Sequence, residues 1–250
     1  MIAGIDIGSR SMELVLLDDG NIVSQRTLPT TFDPVAQLRK LLADVAPERC
    51  MATGYGRELV REAGLPCPVD TVTEIKAHAT GAHALHPEAV TVLDIGGQDT
   101  KAISLSKAGK VLKFEMNDRC AAGTGKFLEY TAAVFQIPVE EFGEYALMGE
   151  NAPVINSMCT VFAETEATSL MARGTRPEDI ALGLHMSIAR RTVNMLRRVG
   201  GKLPVAFVGG VARNPCMTSL LRQLLKADGP DLLTPEAPEM TGALGAAMLA

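Results

Sequence analysis

Two short stretches of the chain place an aspartate and a glycine turn directly after a run of apolar residues. In the first stretch Asp6 precedes Gly8 and Ser9, and in the second, 88 positions later, Asp94 precedes the pair Gly96-Gly97. A carboxylate holds Mg²⁺, usually through water, and glycines let backbone N–H groups approach phosphate oxygens closely. The two stretches therefore predict a site for a magnesium-bound phosphate compound.

A third glycine turn extends this pattern. Gly209 and Gly210 follow an apolar run over residues 204–208 and precede Val211. A single Asp-x-Gly turn is common and can reflect turn geometry alone. Three such turns in one chain indicate nucleotide binding. The sequence has no Gly-x-x-x-x-Gly-Lys loop, which excludes the P-loop class of enzymes.

Cysteine is the other residue type that could do chemistry here. The chain has five cysteines, and no two form a Cys-x-x-Cys pair: Cys50, Cys67, Cys120, Cys159 and Cys216. An odd number in a chain of this kind favours thiols or metal ligands over a disulfide framework. Placement alone leaves two interpretations open for Cys120 and Cys159, which are either metal ligands or buried thiols that pack as small hydrophobic residues. The other three are predicted to be ordinary buried or loop thiols.

The elements that must position these residues follow a repeated pattern. Each aspartate-bearing strand is followed by a predicted hairpin, with turns at 18–21 and 106–109. A strand and hairpin used twice predict two similar domains that face each other. Helices are predicted after Asp33-Pro34, near Gly125 and over residues 74–85, 177–199, 214–226 and 241–250. Strands mixed with helices in this order predict an α/β fold.

Composition and charge limit the class of protein. The 250 residues are 47% hydrophobic and 21% charged, which is typical of globular proteins. The net charge is −5 without any basic block, which argues against nucleic acid or an anionic membrane as the main partner. The start of the chain has no basic segment before Asp6, and no apolar stretch reaches the roughly 18 residues of a membrane span. We therefore expect a cytoplasmic protein.

The three glycine turns resemble the phosphate-1, phosphate-2 and adenosine motifs of the actin/Hsp70/hexokinase superfamily, and the resemblance covers the whole chain. It implies an actin-like ATPase fold, in which two ribonuclease-H-like domains enclose a nucleotide cleft. The first domain is expected to comprise residues 1–90 plus the C-terminal helix 241–250. The second, residues 91–240, is expected to carry the phosphate-2 turn, the cysteines Cys120 and Cys159, and the adenosine motif.

The same resemblance implies roles for the residues of the turns. Asp6 and Asp94 are expected on opposite walls of the cleft, around Mg²⁺ and ATP or ADP. Gln98 is expected to position the attacking water, with Glu74 as the alternative. Phosphate contacts are expected from Gly8, Ser9, Gly96 and Gly97, and adenosine contacts from Gly209, Gly210 and Val211.

Longer motifs resemble one particular family. Residues 116–129 around Cys120 and residues 157–166 around Cys159 closely match the activators of 2-hydroxyacyl-CoA dehydratases, which are relatives of the benzoyl-CoA reductase ATPase subunits. Residues 52–57, 94–101 and 241–247 also resemble signatures of this BadF/BadG/BcrA/BcrD-type family. The resemblance implies that Cys120 and Cys159 ligate one [4Fe–4S] cluster per homodimer, since a cubane needs four thiolates and each chain supplies two. The helix near Gly125 would present its N–H groups and dipole to that cluster.

The implied function is ATP-driven electron transfer. A ferredoxin or flavodoxin is expected to supply the electron, and ATP binding and hydrolysis are expected to change the exposure and potential of the cluster. The acceptor is expected to be a 2-hydroxyacyl-CoA dehydratase or a related double-cubane reductase. Two alternatives remain open: a small-molecule (sugar or acid) kinase of the same fold, and a non-catalytic assembly module of the actin or chaperone type.

One position departs from the pattern of the family. Many members carry a lysine shortly after the first aspartate turn, where this chain has Glu13. If that lysine helps to bind phosphate, Glu13 alters ATPase activity here. Arg10 is a nearby cation that could compensate for it.

Overall fold

The computed structural model describes residues 1–156 and 159–250; Ser157 and Met158, which belong to the stretch around Cys159, lie outside the described residues. The first half of the chain forms β1 (Ile2–Ile7), β2 (Ser11–Asp18), β3 (Asn21–Pro29), α1 (Pro34–Leu41), β4 (Arg49–Thr53), α2 (Leu59–Glu62), β5 (Val69–Thr71) and α3 (Glu74–Leu85). The second half forms β6 (Thr91–Ile95), β7 (Thr100–Leu105), β8 (Val111–Asn117), α4 (Gly125–Val134), α5 (Val139–Leu147), α6 (Thr160–Ala172), α7 (Pro177–Arg198), β9 (Val205–Val208), α8 (Pro215–Leu225), β10 (Leu232–Leu233) and α9 (Thr241–Met248). Both predicted hairpins and every predicted helix are confirmed.

Side-chain caps explain several helix starts. The backbone N–H of Ala36 donates to Asp33 at the start of α1, and that of Met217 donates to Asn214 at the start of α8. Thr73 caps α3 in the same way. Such caps satisfy N–H groups that have no partner inside the helix, so they fix where each helix begins.

The two halves contain sheets of the same topology. The strand order is β3-β2-β1-β4-β5 in the first sheet and β8-β7-β6-β9-β10 in the second. In each sheet the aspartate-bearing strand, β1 or β6, is central: it pairs antiparallel with its hairpin and parallel with the next strand. This repetition confirms the predicted α/β fold and brings Asp6 and Asp94 to equivalent ends of equivalent strands.

Helices α3 and α9 join the two sheets. Helix α9 packs on β1, β2 and β4, where Leu244 and Ala247 contact Val15, and α3 packs on the second sheet. The two helices also approach each other closely, because a Cβ atom on Gly245 would collide with the backbone of α3. Glycine has no Cβ atom and therefore permits this close approach. The assignment of residues 241–250 to the first domain stays a prediction.

No helix within residues 1–156 and 159–250 combines the length and apolar composition needed to cross a bilayer.

The largest core lies in the second half, where Phe127, Phe142 and Leu184 pack between α4, α5 and α7. These buried contacts hold α4 beside the second sheet. They therefore place the segment around Cys120 near the phosphate-2 turn.

Candidate functional site

Asp6 and Asp94 are buried, and both face the same nitrogen of one imidazole ring. His78 Nε2, on α3, is 3.3 Å from Asp94 Oδ2 and 3.8 Å from Asp6 Oδ2. His78 Nδ1 is 3.0 Å from the carbonyl oxygen of Glu74, which can only accept a hydrogen bond. The ring therefore donates through Nδ1, and in its doubly protonated form it also donates through Nε2 to the carboxylates. The structure thus brings the two predicted aspartates into one site.

A buried lysine compensates the charge in the second half of this site. Lys101 Nζ lies 2.9 Å from Asp94 Oδ2, 2.6 Å from Asp99 Oδ2 and 2.9 Å from Glu74 Oε2, and its side chain is 3% exposed. Burial would raise the pKa of Asp94, but the facing His78 and Lys101 hold that pKa below its usual value. Burial also opposes the charge of Lys101, yet the surrounding carboxylates raise its pKa well above the ordinary value. Asp94 and Lys101 are therefore both charged at neutral pH.

Asp99 differs from Asp94 although it contacts the same lysine. Burial raises the pKa of Asp99 to about 6, and the nearby Asp94 adds to this effect, while Lys101 only partly offsets them. Asp99 also closes the phosphate-2 turn, because its carbonyl oxygen accepts a hydrogen bond from the N–H of Gly96 at 3.0 Å. This residue therefore shapes the turn and contributes a carboxylate beside it.

The first half of the site has no lysine at the equivalent place. Glu13 faces Asp6 across the β1–β2 pair, just as Lys101 faces Asp94 across the β6–β7 pair. Burial and the neighbouring Asp6 raise the pKa of Glu13 to about 8. Burial likewise raises the pKa of Asp6 to about 6, against the attraction of His78. Glu13 is thus predominantly neutral at pH 7, and Thr27 Oγ1 donates a hydrogen bond to it at 3.3 Å.

Two glycines let the backbone pass directly beside the aspartates. Gly54 (φ +90°) follows β4, and a Cβ atom there would collide with Asp6 Oδ1. Gly209 (φ +83°) follows β9, and a Cβ atom there would collide with Asp94 Oδ1. A positive φ and a close approach are both conditions that favour glycine. Gly209 thus lies against the phosphate-2 aspartate, while its adenosine contact, like those of Gly210 and Val211, stays a prediction.

The backbone N–H groups of Gly8 and Gly96 form hydrogen bonds within their own turns. Gly8 N–H donates to the carbonyl of Ser11 at 3.0 Å, in the same way that Gly96 N–H donates to Asp99. The phosphate contacts expected of Gly8, Ser9, Gly96 and Gly97 stay predictions.

The two candidates for positioning water lie in different surroundings. Gln98 is exposed in the turn between β6 and β7. Glu74 lies on the first turn of α3 and pairs with the ammonium group of Lys101. A side chain in a charged network is less free to orient water than an exposed amide. The catalytic role of Gln98 nevertheless stays a prediction.

The phosphate-2 turn is bonded directly to helix α4. The N–H groups of Gly125 and Lys126 donate to the carbonyls of Gly96 and Gly97, at 2.9 and 2.7 Å. These first amides of α4 are therefore occupied by the turn, and the expectation that they are exposed toward an anionic cluster is wrong for them. Farther along α4, the Tyr130 hydroxyl lies near Glu164 of α6, and this carboxylate raises the pKa of Tyr130.

Cys120 and Cys159 are both exposed, which excludes the interpretation that they are buried packing residues. Asn117 Nδ2 donates to the carbonyl of Cys120 at 2.9 Å and so orders the loop before α4. Cys159 is the N-cap residue of α6 and its own side chain makes no capping hydrogen bond, and the dipole at this end of the helix favours a nearby anion.

The remaining cysteines behave as predicted. Cys50 and Cys216 are buried, and burial raises the pKa of each thiol to about 12, while Cys67 is half-buried. In the part of the chain that the structure describes, no group of three or more His, Cys, Asp or Glu side chains could hold a metal ion. Two exposed thiols per chain fit half of a four-thiolate cluster.

Sequence reasoning assigned no role to His78, Lys101 or Asp99. Lys101 and Asp99 stand in the stretch 94–101 that was singled out as a motif. Hairpin register could have identified Lys101, because it lies on the neighbouring strand directly opposite Asp94. No sequence pattern around His78 predicts its place in the site, because that place depends on how α3 packs against the second sheet.

The chain is similar to known proteins over almost its full length. The model of the BadF/BadG/BcrA/BcrD ATPase family matches residues 3–250. A 2-hydroxyisocaproyl-CoA dehydratase activator of Clostridioides difficile is 38% identical to this chain, over 99% of the chain and 93% of that protein.

Two solved structures are similar over the full chain. An activator of the 2-hydroxyisocaproyl-CoA dehydratase from Clostridium difficile, with bound ADPNP, superposes with a TM-score of 0.88 at 36% identity and covers 100% of this chain and 93% of that one. Component A of the (R)-2-hydroxyglutaryl-CoA dehydratase of Acidaminococcus fermentans gives a TM-score of 0.90 at 34% identity, with 100% and 96% covered.

Proposed function

The chain belongs to the BadF/BadG/BcrA/BcrD ATPase family, and we propose that it uses ATP to deliver an electron to a 2-hydroxyacyl-CoA dehydratase or a related double-cubane reductase. The observation that carries this proposal is the direct hydrogen bonding of the phosphate-2 turn to helix α4, which follows Cys120. A change at the nucleotide therefore has a short covalent and hydrogen-bonded route to a candidate cluster ligand. The dehydratase activators that resemble this chain support the class of acceptor.

The nucleotide site is proposed to bind Mg²⁺ and ATP between Asp6 and Asp94. Asp94 stays ionised, because His78 and Lys101 lower its pKa, and it suits a magnesium ion held through water. When bound, Mg²⁺ neutralises charge on the phosphate oxygens. Gln98 is proposed to orient the attacking water, since its side chain is exposed at the turn while Glu74 is held by Lys101.

Cys120 and Cys159 are proposed to hold a [4Fe–4S] cluster together with the same two residues of a second copy. The exposure of both thiols and the position of Cys159 at the N-terminus of α6 support this assignment. When bound, such a cluster supplies one-electron chemistry. The chain's own part is to position the thiols, through Asn117 before α4 and through the Tyr130–Glu164 contact between α4 and α6.

The remaining parts of the proposal follow from the same function. A ferredoxin or flavodoxin is proposed as the electron donor, and the cytoplasm as the location. The domain division is proposed at residues 1–90 with 241–250, and 91–240. The packing of α9 on the first sheet supports the inclusion of the C-terminal helix in the first domain.

Iron and sulfide analysis after anaerobic purification tests the cluster. We expect about four irons and four sulfides per dimer, as one cubane requires. Cys120→Ala and Cys159→Ala should each lose the iron, whereas Cys67→Ala, which removes a half-buried thiol elsewhere, should retain it. Iron-free wild-type protein after anaerobic reconstitution would contradict the proposal, and phosphorylation of an added sugar or small acid would instead support the kinase alternative.

A further inference from the structure

Arg10 reaches from the first aspartate turn to the second half of the molecule. Its Nη1 atom lies 2.8 Å from Glu129 Oε1 on helix α4. Its side-chain carbons lie against the phosphate-2 turn, because a Cβ atom on Gly97 would be 3.1 Å from Arg10 Cβ and would collide with Cγ. One arginine therefore contacts both the phosphate-2 turn and the helix that follows Cys120.

The charges of the site leave Arg10 as the cation best placed to change partners. The aspartate site is crowded with carboxyl groups, namely Asp6, Glu13, Glu74, Asp94 and Asp99. Lys101 is buried and pairs with three of them, so it is not available to a phosphate. Arg10 is 49% exposed, and among the residues that the structure describes its one ion-pair partner is Glu129. A guanidinium group also binds phosphate in a bidentate manner.

Glu129 has a second partner if Arg10 leaves it. Lys126 Nζ, one turn earlier on α4, lies 3.3 Å from Glu129 Oε2. The carboxylate of Glu129 is 31% exposed and remains accessible to water. Transfer of Arg10 to another anion thus leaves no buried charge without a partner, and its free-energy cost is small.

We propose that Arg10 is a phosphate-binding residue that exchanges Glu129 for the terminal phosphates of ATP. This inference rests on the proposed function, because it assumes that ATP binds between the two aspartate turns. Without nucleotide, Arg10 ties the first turn to α4 through Glu129. With nucleotide, the guanidinium group turns to the phosphates, and α4 loses its link to the first turn but keeps its hydrogen bonds to the phosphate-2 turn and its core contacts. Arg10 also supplies the cation that Glu13 does not provide.

In this exchange the phosphate-2 turn stays connected to α4 in both states, whereas the first turn is connected to α4 only without nucleotide. Gly96 and Gly97 hold the start of α4 in both states, through the N–H groups of Gly125 and Lys126. Arg10 holds α4 one turn later, at Glu129, only when phosphate is absent. ATP binding therefore frees one side of α4 while the other stays anchored, which is what a rotation of the helix requires.

Nucleotide affinity measured by calorimetry tests the exchange. The non-hydrolysable analogue ADPNP is titrated at constant ionic strength into wild-type protein and into Arg10→Ala, Glu129→Gln and the double variant. Arg10→Ala should weaken binding about 10-fold, since a charge-assisted hydrogen bond to phosphate is lost. Glu129→Gln should tighten binding about 2- to 5-fold, because phosphate no longer competes with an ion pair. In the Arg10→Ala background, Glu129→Gln should have no effect.

Arg49→Ala is the matched control. Arg49 is also about half exposed and pairs with Asp70 at 2.9 Å, but it lies at the opposite end of β4 from Gly54. This variant should bind ADPNP as the wild type does. Thermal unfolding of each variant establishes that it is folded.

The two proposals fail in different ways. Wild-type protein that does not bind ADPNP would overturn the proposed function. Wild-type protein that binds ADPNP, with unchanged affinity in Arg10→Ala or weaker affinity in Glu129→Gln, would overturn only the exchange of partners.

Discussion

The two halves of the molecule share a backbone and differ in charge at one equivalent position. In each half a central strand ends in an aspartate, and a glycine with positive φ lies against its carboxylate. Seven residues after the aspartate, the hairpin strand brings Glu13 opposite Asp6 and Lys101 opposite Asp94. One half therefore contains two facing acids, and the other contains an acid and a base.

The shared fold sets the position of each aspartate carboxylate, whereas the charge of the residue that faces it helps to set its pKa. Asp6 has a pKa raised to about 6 and Glu13 one raised to about 8, so the first half changes its charge near neutral pH. Asp94 has a lowered pKa and keeps its charge. The second half thus provides a permanent site for a cation, and the first half provides one that depends on pH.

Removal of the base from the second half should have the largest effect. Lys101→Met leaves Asp94, Asp99 and Glu74 together without their shared cation. Breaking a buried ion pair in this way costs about 3–5 kcal/mol of unfolding free energy. Chemical denaturation measures it, with Lys126→Met as control, because Lys126 is an exposed partner of Glu129 and its loss should cost less than about 1 kcal/mol. Equal effects of the two variants would contradict the network.

The facing acids of the first half should make stability depend on pH. The pKa of Glu13 rises from 4.5 to about 8 on folding, so the folded protein keeps a proton that the unfolded chain releases between these values. Stability from this group is therefore complete below about pH 4.5 and is lost as pH rises through 8. Between pH 6 and 8 the unfolding free energy should fall by about 2 kcal/mol relative to Glu13→Gln.

That pH range separates Glu13 from its neighbours. Asp6 and Asp99 have pKa values of about 6, so most of their change lies at lower pH. The measurement is a series of denaturation curves for both proteins. Parallel pH profiles of wild type and Glu13→Gln would show that Glu13 does not hold its proton.

Making the first half resemble the second should have the smallest effect. Glu13→Lys places a cation opposite Asp6, which should lower the pKa of Asp6 and tighten ADPNP binding about 3- to 10-fold. In the Arg10→Ala background it should restore part of the lost affinity, because one cation replaces another. Calorimetry measures both, with Glu13→Gln as the uncharged control and circular dichroism as the check of folding. A Glu13→Lys variant that binds no more tightly than Glu13→Gln would show that charge at this position is not used.

Much of the fold could be predicted from local patterns. Caps such as Asp33 and Asn214 mark helix starts, and turn residues between apolar runs mark the hairpins. Exposure of Cys120 and Cys159 could not be predicted from their placement alone, because free cysteines are more often buried. The resemblance of the surrounding motifs to the dehydratase activators is what predicted a ligand role for both, and that role stays a prediction.

Beyond the Asp94–Lys101 pair of one hairpin, the charged network could not be predicted, because it depends on long-range contacts. Lys101 reaches Glu74 only because α3 packs on the second sheet rather than on the sheet that precedes it in the chain. Arg10 and Glu129 are 119 positions apart and meet only where the two halves meet. Periodicity describes one element at a time, so it carries no information on such pairs.

The packing of α9 on the first sheet has a consequence for biosynthesis. Val15 lies in the first hairpin, but Ala243, Leu244 and Ala247, which cover it, are translated more than two hundred residues later. A ribosome-bound chain that has reached only residue 240 therefore exposes one apolar face of an otherwise complete sheet. Contacts of such large sequence separation slow folding and expose surfaces prone to aggregation. The sheet of the first half is thus completed only after α9 has emerged from the ribosome, and nascent chains should depend on chaperones until then.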